Sequence, residues 1–169
     1  MNNIRRFILA TLVVSVATPA ALLAQRVSDT QPRKVVFVCE HGTVKSVVAL
    51  EYFNRIARAK GIGFKAVSRG TRPDSALPSQ VRDGLTRDGF DLAGFRASPF
   101  TSADVQSAAL VVTLDVDVEG VVNRSRPVVR WDSLPSVMSN YAAGRTAIRA
   151  HVERLVDSLS NASRVLRHP

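Results

Sequence analysis

The sequence predicts an α/β protein of three layers, in which helices cover both faces of a four-stranded parallel sheet. In two short runs, Lys34–Val38 and Ala109–Leu114, every residue except Lys34 and Thr113 is apolar and many are β-branched, as is typical of strands buried on both faces. Segments with helical spacing of apolar residues lie between the strand-like runs, and strands that alternate with helices form parallel sheets. At 169 residues, the chain has the length of one such domain.

The first half of the domain begins with the strand Lys34–Val38 and a short glycine-containing loop. A helix is predicted over Lys45–Lys60, where apolar residues recur with helical spacing until two glycines end it. A second short strand follows at Phe64–Val67. A second helix is predicted from Pro78 to Asp88, with Gly89 directly after it.

The second half of the domain repeats the alternation. A short helix opens at Ser102–Asp104, with Thr101 or Ser102 as its N-cap. The strands Ala109–Leu114 and Val128–Trp131 follow. The last helix is amphipathic, with apolar residues at Ile148, Val152, Leu155, Val156 and Leu159.

The N-terminus has the three parts of a secretory signal peptide. Arg5 and Arg6 precede an uncharged apolar run, and small residues before Gln25 form a cleavage site. We therefore expect residues 1–24 to be a signal peptide, 25–33 a flexible lead and 34–169 the domain. Export to the periplasm or the medium follows, with no stable membrane insertion after cleavage. The alternative is an uncleaved anchor, since the apolar run is close to the length that spans a bilayer.

Charge and cysteine content exclude several classes of function. The formal net charge is +9, but the arginines are scattered and no nucleic-acid-binding motif is present, so we expect a solvated basic surface and no nucleic-acid partner. Cys39 is the only cysteine, which excludes a disulfide framework and a cysteine-rich zinc site. We expect neither a metal nor a cofactor.

The loop Cys39–Ser46 joins a buried strand to the start of a helix, and such a junction binds anions through backbone amides and the helix dipole. A thiolate at Cys39 would be a nucleophile facing the bound oxyanion, although a lone cysteine is also often a small buried apolar residue. Lys45 either contacts the anion or is a solvated lysine. His41 either stabilises the loop through a hydrogen bond or forms half of a metal site that lacks further ligands.

The loop and four segments after it resemble the low-molecular-weight protein tyrosine phosphatase superfamily, which includes the thioredoxin-coupled arsenate reductases. The signature of that superfamily is Cys, five residues, Arg, then Ser or Thr. The resemblance covers most of Lys34 to Leu159. Its other segments are Ser68–Thr71 with Pro73, Asp88–Leu92, Pro99–Thr101, and Trp131–Asp132 with Pro135.

The resemblance implies a role for each matching residue. Cys39 is the nucleophile and Asp132 the general acid, unless Asp132 only forms a turn, because the family has Asp-Pro where this chain reads Asp-Ser-Leu-Pro. Trp131 and Tyr141 are candidates for gripping the substrate ring, with core packing as the alternative for Trp131. The residues implied to bind phosphate are Glu40, His41, Gly42, Thr43, Val44, Lys45 and Ser46.

Lys45 stands where the signature has arginine, and an ammonium cannot clamp two oxygens as a guanidinium does. We therefore expect a phosphomonoesterase that acts through a phosphocysteine with low activity on phosphorylated small molecules or proteins. One alternative is a non-catalytic protein that binds phosphate, a similar oxyanion or phosphoproteins. A weaker alternative is an arsenate reductase that uses an external thiol, since one cysteine cannot form an internal relay.

Overall fold

Four parallel strands in the order β2-β1-β3-β4 form the sheet on which the chain is built. The computed structural model describes residues 31–121 and 128–165. The strands are β1 (Arg33–Cys39), β2 (Phe64–Gly70), β3 (Ala108–Leu114) and β4 (Val128–Trp131). The predicted fold class is confirmed. The predicted signal peptide, and most of the lead that follows it, lie outside the described residues and stay predictions.

The helices are α1 (Lys45–Ala59), α2 (Ser79–Arg87), α3 (Ser102–Ser107) and α4 (Tyr141–Val165). Helix α4 begins seven residues before the first apolar position that predicted it, because the Asn140 side chain accepts a hydrogen bond from the Ala143 amide at 3.0 Å and so caps the helix start. In the described part of the chain, no helix combines the length and apolar character needed to cross a membrane.

The sheet separates two apolar layers of unequal size. On one face, the ring of Phe37 in β1 packs against Phe53 of α1 at 5.6 Å and against Trp131 of β4 at 5.5 Å between ring centroids. Helices α2 and α4 cover the same face. On the other face, Val36 and Val38 pack against a smaller cluster that includes Val105 of α3. Because both faces are covered, β1 and β3 carry apolar residues at consecutive positions.

The strand order brings the carboxyl ends of β1 and β3 next to each other. Val38 pairs with Thr113 across these two strands, and Cys39 pairs with Gly70 of β2 on the other side. Strand β2 continues beyond its predicted end at Val67, because Ser68–Gly70 pair with the last residues of β1. Ligands of open parallel sheets bind beyond this edge, which is where Cys39 lies.

Candidate functional site

Cys39 ends β1, and the loop that follows turns back over its sulfur. The side chain is buried, with 4% of its surface exposed. The Gly42 amide donates a hydrogen bond to Cys39 Sγ at 3.3 Å, and Ser46 Oγ lies 3.0 Å from the same sulfur. A thiolate at this position can accept both hydrogen bonds.

Ser68 on β2 supports the loop from below. Its hydroxyl lies 2.8 Å from both Ser46 Oγ and the Gly42 carbonyl oxygen, so it can donate to either one. Ser46, Ser68 and Thr43 are buried, and buried hydroxyls need such partners. Cys39, Ser46 and Ser68 therefore form a continuous hydrogen-bonded chain beneath the loop.

Two glycines let the loop lie directly against the end of β2. Gly42 has φ +68°, and a Cβ added to it would lie 2.9 Å from the backbone nitrogen of Gly70. A Cβ at Gly70 would in turn lie 2.8 Å from the Gly42 nitrogen. Glycine is required at Gly42 for both its conformation and its space.

The segment after β2 secures the outer side of the loop. The amides of Thr71, Arg72 and Asp74 donate to the carbonyls of the first three loop residues, Cys39–His41, at 2.8–3.1 Å. These hydrogen bonds explain why the segment Ser68–Thr71 accompanies the loop in the family resemblance. Ser68 is nevertheless 22 or more positions away from every loop residue in the sequence.

Ion pairs and hydrogen bonds hold the polar side chains of the outer loop. Glu40 pairs with Arg72. Asp74 accepts from Thr43 Oγ1 at 3.0 Å and lies 3.2 Å from His41 Nδ1. His41 thus makes a loop hydrogen bond, as one of its two interpretations expected. Within residues 31–121 and 128–165, no three His, Cys, Asp or Glu side chains are grouped as a metal site requires.

A cavity of about 220 Å³ opens beside Cys39 at the carboxyl edge of the sheet. Loop residues form one side of it, and Leu114, Asp115 and the segment Ser136–Met138 form the other. The predicted loop residues that line it are Cys39, Glu40, His41, Val44 and Lys45. Gly42, Thr43 and Ser46 are not among the lining residues, and they contact the sulfur or support the loop instead.

The ammonium of Lys45 is held by groups outside the loop. It forms an ion pair with Asp115 and lies 3.5 Å from the Leu134 carbonyl oxygen. The side chains of Lys45 and Asp115 are 20% and 26% exposed, so the pair is partly screened from water. Lys45 therefore lines the cavity, but its charge is already paired with a carboxylate.

Asp115 is the site residue that sequence reasoning missed. It has φ +49°, its amide donates to the Trp131 carbonyl at 3.1 Å, and its Oδ1 accepts from the Leu134 amide at 3.4 Å. One signal could have found it: Asp115 directly follows β3, the strand beside the one that Cys39 ends. Polar residues at the carboxyl ends of neighbouring parallel strands meet at one edge.

Three residues predicted for the site do not line the cavity. Asp132 is exposed and absent from the cavity lining. Trp131 is still within β4, where it packs on Phe37 and, at 5.0 Å, on His151, with 5% of its surface exposed. Tyr141 is also absent from the lining.

Trp131 and Tyr141 occupy packed positions for clear reasons. Alternation along β4 turns the Trp131 ring toward the larger apolar layer. The ring of Tyr141 fills the space above Gly84, and its hydroxyl donates to Asp88 at 2.7 Å. A role in gripping substrate finds no geometric support at either residue.

The family model of low molecular weight phosphotyrosine protein phosphatases matches residues 34–153. The chain belongs to this family. The sequence matches none of the curated proteins with which it was compared. The family match extends across the Cys39–Ser46 loop, Asp115 and Asp132.

Solved structures of the same family and of arsenate reductases share the fold. A thioredoxin-dependent arsenate reductase from Corynebacterium glutamicum has a TM-score of 0.67 at 16% identity, covering 85% of this chain and 69% of that one. A low molecular weight protein tyrosine phosphatase from T. tengcongensis has a TM-score of 0.64 at 20% identity, covering 75% of this chain and 99% of that one. An arsenate reductase from Archaeoglobus fulgidus has a TM-score of 0.57 at 25% identity, covering 75% and 98%.

This member of the low molecular weight phosphatase family departs from the superfamily signature at Lys45. A guanidinium presents several donors in a rigid fork, whereas an ammonium is a compact point charge. Here that point charge is also shared with Asp115. The chain therefore keeps the fold of the family and the loop after β1, but a lysine replaces the signature arginine of that loop.

Proposed function

We propose that the chain hydrolyses phosphomonoesters through a phosphocysteine on Cys39. The observation that carries the proposal is the environment of the sulfur, which lines the cavity while the Gly42 amide and the Ser46 hydroxyl point at it. A buried cysteine with an inert packing role has no need of an adjoining cavity or of two polar partners.

The reaction takes two steps. The thiolate of Cys39 attacks phosphorus, a P–S bond forms, and the P–O bond to the leaving alcohol breaks as that oxygen takes a proton from Asp132. Water then attacks phosphorus and gives a proton to the Asp132 carboxylate, the P–S bond breaks with its electron pair returning to Cys39, and inorganic phosphate is released. Ser46 stabilises the sulfur as nucleophile in the first step and as leaving group in the second.

Oxyanion binding by related folds supports the proposal. The similar solved structures include an arsenate reductase in a phosphate-binding state and a tyrosine phosphatase from Escherichia coli K30 in complex with sulphate. In this chain, the loop after β1 leads into helix α1, whose N-terminus favours negative charge. The partner is therefore a phosphorylated small molecule or protein.

Two features predict slow turnover. The Lys45–Asp115 pair leaves less positive charge for the transferring phosphoryl group. Asp132, the implied general acid, does not line the cavity, so the structure does not hold it in place beside a leaving group. Each deficit weakens stabilisation of the transition state rather than substrate binding alone.

Hydrolysis of an aryl phosphate by the purified chain tests the proposal. We expect Cys39→Ser to abolish turnover and Asp132→Asn to lower kcat. We expect Lys45→Arg to raise kcat/KM by about tenfold or more, because a fork of donors binds the transferring group better than a point charge. Activity that survives Cys39→Ser unchanged would contradict the proposal.

The second candidate is an oxyanion-binding protein without turnover, and the specific observation in its favour is the neutralised Lys45. Calorimetry with inorganic phosphate, combined with the hydrolysis assay, separates the two candidates. Phosphate binding without hydrolysis at any pH, followed by hydrolysis in Lys45→Arg, would favour the binding protein. Measurable turnover by the natural sequence would exclude it.

Export is part of the proposal and rests on the sequence of residues 1–24. Expression in a bacterium followed by fractionation and N-terminal sequencing tests it. A product that begins at Gln25 in the periplasm or the medium is the expected result. A full-length chain that stays with the membrane would favour the uncleaved anchor.

A further inference from the structure

A carboxylate lines the cavity that receives an anion, and the proposed hydrolysis does not explain it. Asp115 follows β3 and shares the cavity with Cys39. Its contacts with Lys45, the Leu134 amide and the Trp131 carbonyl fix both its side chain and its backbone. An anionic ligand at Cys39 must therefore be accommodated next to a fixed negative charge.

The ionised carboxyl group of Asp115 still has capacity to accept hydrogen bonds. Its two oxygens offer about four lone-pair sites, and the structure assigns Oδ2 to Lys45 and Oδ1 to Leu134. The sites that remain can accept a hydrogen bond but cannot donate one. A ligand oxygen beside Asp115 is favourable only if that oxygen carries a proton.

The other charged side chains of the cavity supply no spare positive charge. Lys45 is its direct partner, Glu40 is paired with Arg72, and His41 lies against Asp74. These pairs leave no uncompensated cation among the charged side chains that line the cavity. The loop amides and the N-terminus of α1 still attract a fully deprotonated oxyanion, but that anion has no proton to offer Asp115 and is repelled where its oxygen lies against the carboxylate.

We infer that Asp115 makes the cavity selective for tetrahedral oxyanions that keep a proton. Inorganic phosphate and arsenate keep at least one proton at neutral pH, whereas sulfate keeps none. For a phosphomonoester, the selected form is the monoanion, which is populated below about pH 6. The inference rests on one part of the proposed function, the binding of an oxyanion in the cavity beside Cys39, and does not require hydrolysis.

The test is calorimetric titration of the purified chain with inorganic phosphate and with sulfate at pH 7 and equal ionic strength. The natural chain should bind phosphate about 10- to 100-fold more tightly than sulfate, the range of a hydrogen bond to a charged group. Asp115→Asn should bring the two affinities close together, because the amide can also donate to sulfate. Asparagine tolerates the positive φ of this position as aspartate does.

Two matched variants separate this role from general effects of charge. Asp117→Asn removes a carboxylate two residues away that is absent from the cavity lining and accepts from the Glu119 amide. We therefore expect this variant to keep the ratio of phosphate to sulfate affinity of the natural chain. Lys45→Met should lower the affinity for both anions and preserve the preference for phosphate.

Equal affinity for the two anions in the natural chain, or an unchanged ratio in Asp115→Asn, would overturn the inference. The absence of phosphate binding would overturn it together with the proposed function. Selective phosphate binding without hydrolysis would remove only the hydrolytic step and leave the role of Asp115 intact.

Discussion

Cys39 gains its chemistry from the atoms around it rather than from its residue type alone. Its sulfur meets an amide from Gly42 and a hydroxyl from Ser46, and Ser68 orders that hydroxyl from the neighbouring strand. With a thiolate at Cys39, Ser46 donates to the sulfur and Ser68 donates to Ser46. The hydrogen bonds thus form a consistent chain in the charged state that nucleophilic attack requires.

Gly42 is the residue on which the loop geometry depends most directly. We expect Gly42→Ala to lower the free energy of unfolding by about 1–3 kcal/mol, because alanine is strained at positive φ and its Cβ meets the backbone of Gly70. Urea denaturation measures the change. The matched control is Gly63→Ala, where nothing lies within 4 Å of the added Cβ and φ is not positive. An equal effect of the two substitutions would contradict this account of the loop.

Lys45 and Asp115 show how one altered residue changes a site. The pair places opposite charges at the cavity, where the signature arginine would offer a fork of donors to the ligand. We expect weak transition-state stabilisation from this contact, and selectivity for protonated oxyanions from the acceptor sites that Asp115 keeps beside it. The first is tested by Lys45→Arg and the second by Asp115→Asn.

Among the elements, the parallel arrangement of β1 and β3 assembles the site. Their carboxyl ends are neighbours, so Cys39 and Asp115 share one edge although 76 positions separate them. The short helix α3 is tied to the same sheet by Asp104, which accepts from Arg69 at 3.0 Å and from Lys34 at 3.5 Å. Burial alone would raise the pKa of Asp104, but the hydrogen bond and charge of Arg69 hold it below its usual value.

Helices α1, α2 and α4 are joined through Asp88, which follows the end of α2. The hydroxyls of Tyr52 on α1 and Tyr141 on α4 both donate to Asp88, at 2.9 and 2.7 Å. Burial raises the pKa of both tyrosines, and the hydrogen bond to Asp88 adds to the rise. The first residue of α4 therefore anchors that helix on the other two.

The tyrosines predict a loss of stability at alkaline pH. Because the folded state keeps a proton that an unfolded tyrosine releases near pH 10, their contribution is complete below that pH and declines as the pH rises above it. We expect Tyr141→Phe to lower the free energy of unfolding by about 1–2 kcal/mol at pH 7 and to flatten the decline between pH 9.5 and about 11. Chemical denaturation at several pH values across this range measures the change. If the free energy of unfolding of Tyr141→Phe fell with pH as steeply as that of the natural chain, the assignment would be contradicted.

At the scale of the whole molecule, the sequence was informative where burial leaves a pattern. Strands covered on both faces are almost entirely apolar, so the parallel sheet and the loop after β1 could be predicted from runs such as Lys34–Val38. The lengths of α4 and β2 could not, because the cap at Asn140 and the pairing of Ser68–Gly70 depend on tertiary contacts.

The candidate site was predictable only in part. The loop is local in sequence, so its residues were found together. Asp115 was missed because its link to Lys45 arises from strand order and from a left-handed backbone conformation, neither of which spacing reveals. Trp131 and Tyr141 were assigned to a cleft by residue type, whereas the core and Asp88 hold them.

The central claim, that Cys39 is a nucleophile toward phosphorus, is tested most directly by trapping its adduct. The purified chain is mixed with an aryl phosphate, quenched in acid within the first turnover, and digested for mass spectrometry. We predict one added phosphoryl group on the peptide that contains Cys39, and none in Cys39→Ser treated in the same way. Release of the aryl alcohol with no phosphoryl group on Cys39 at any quench time would contradict the account.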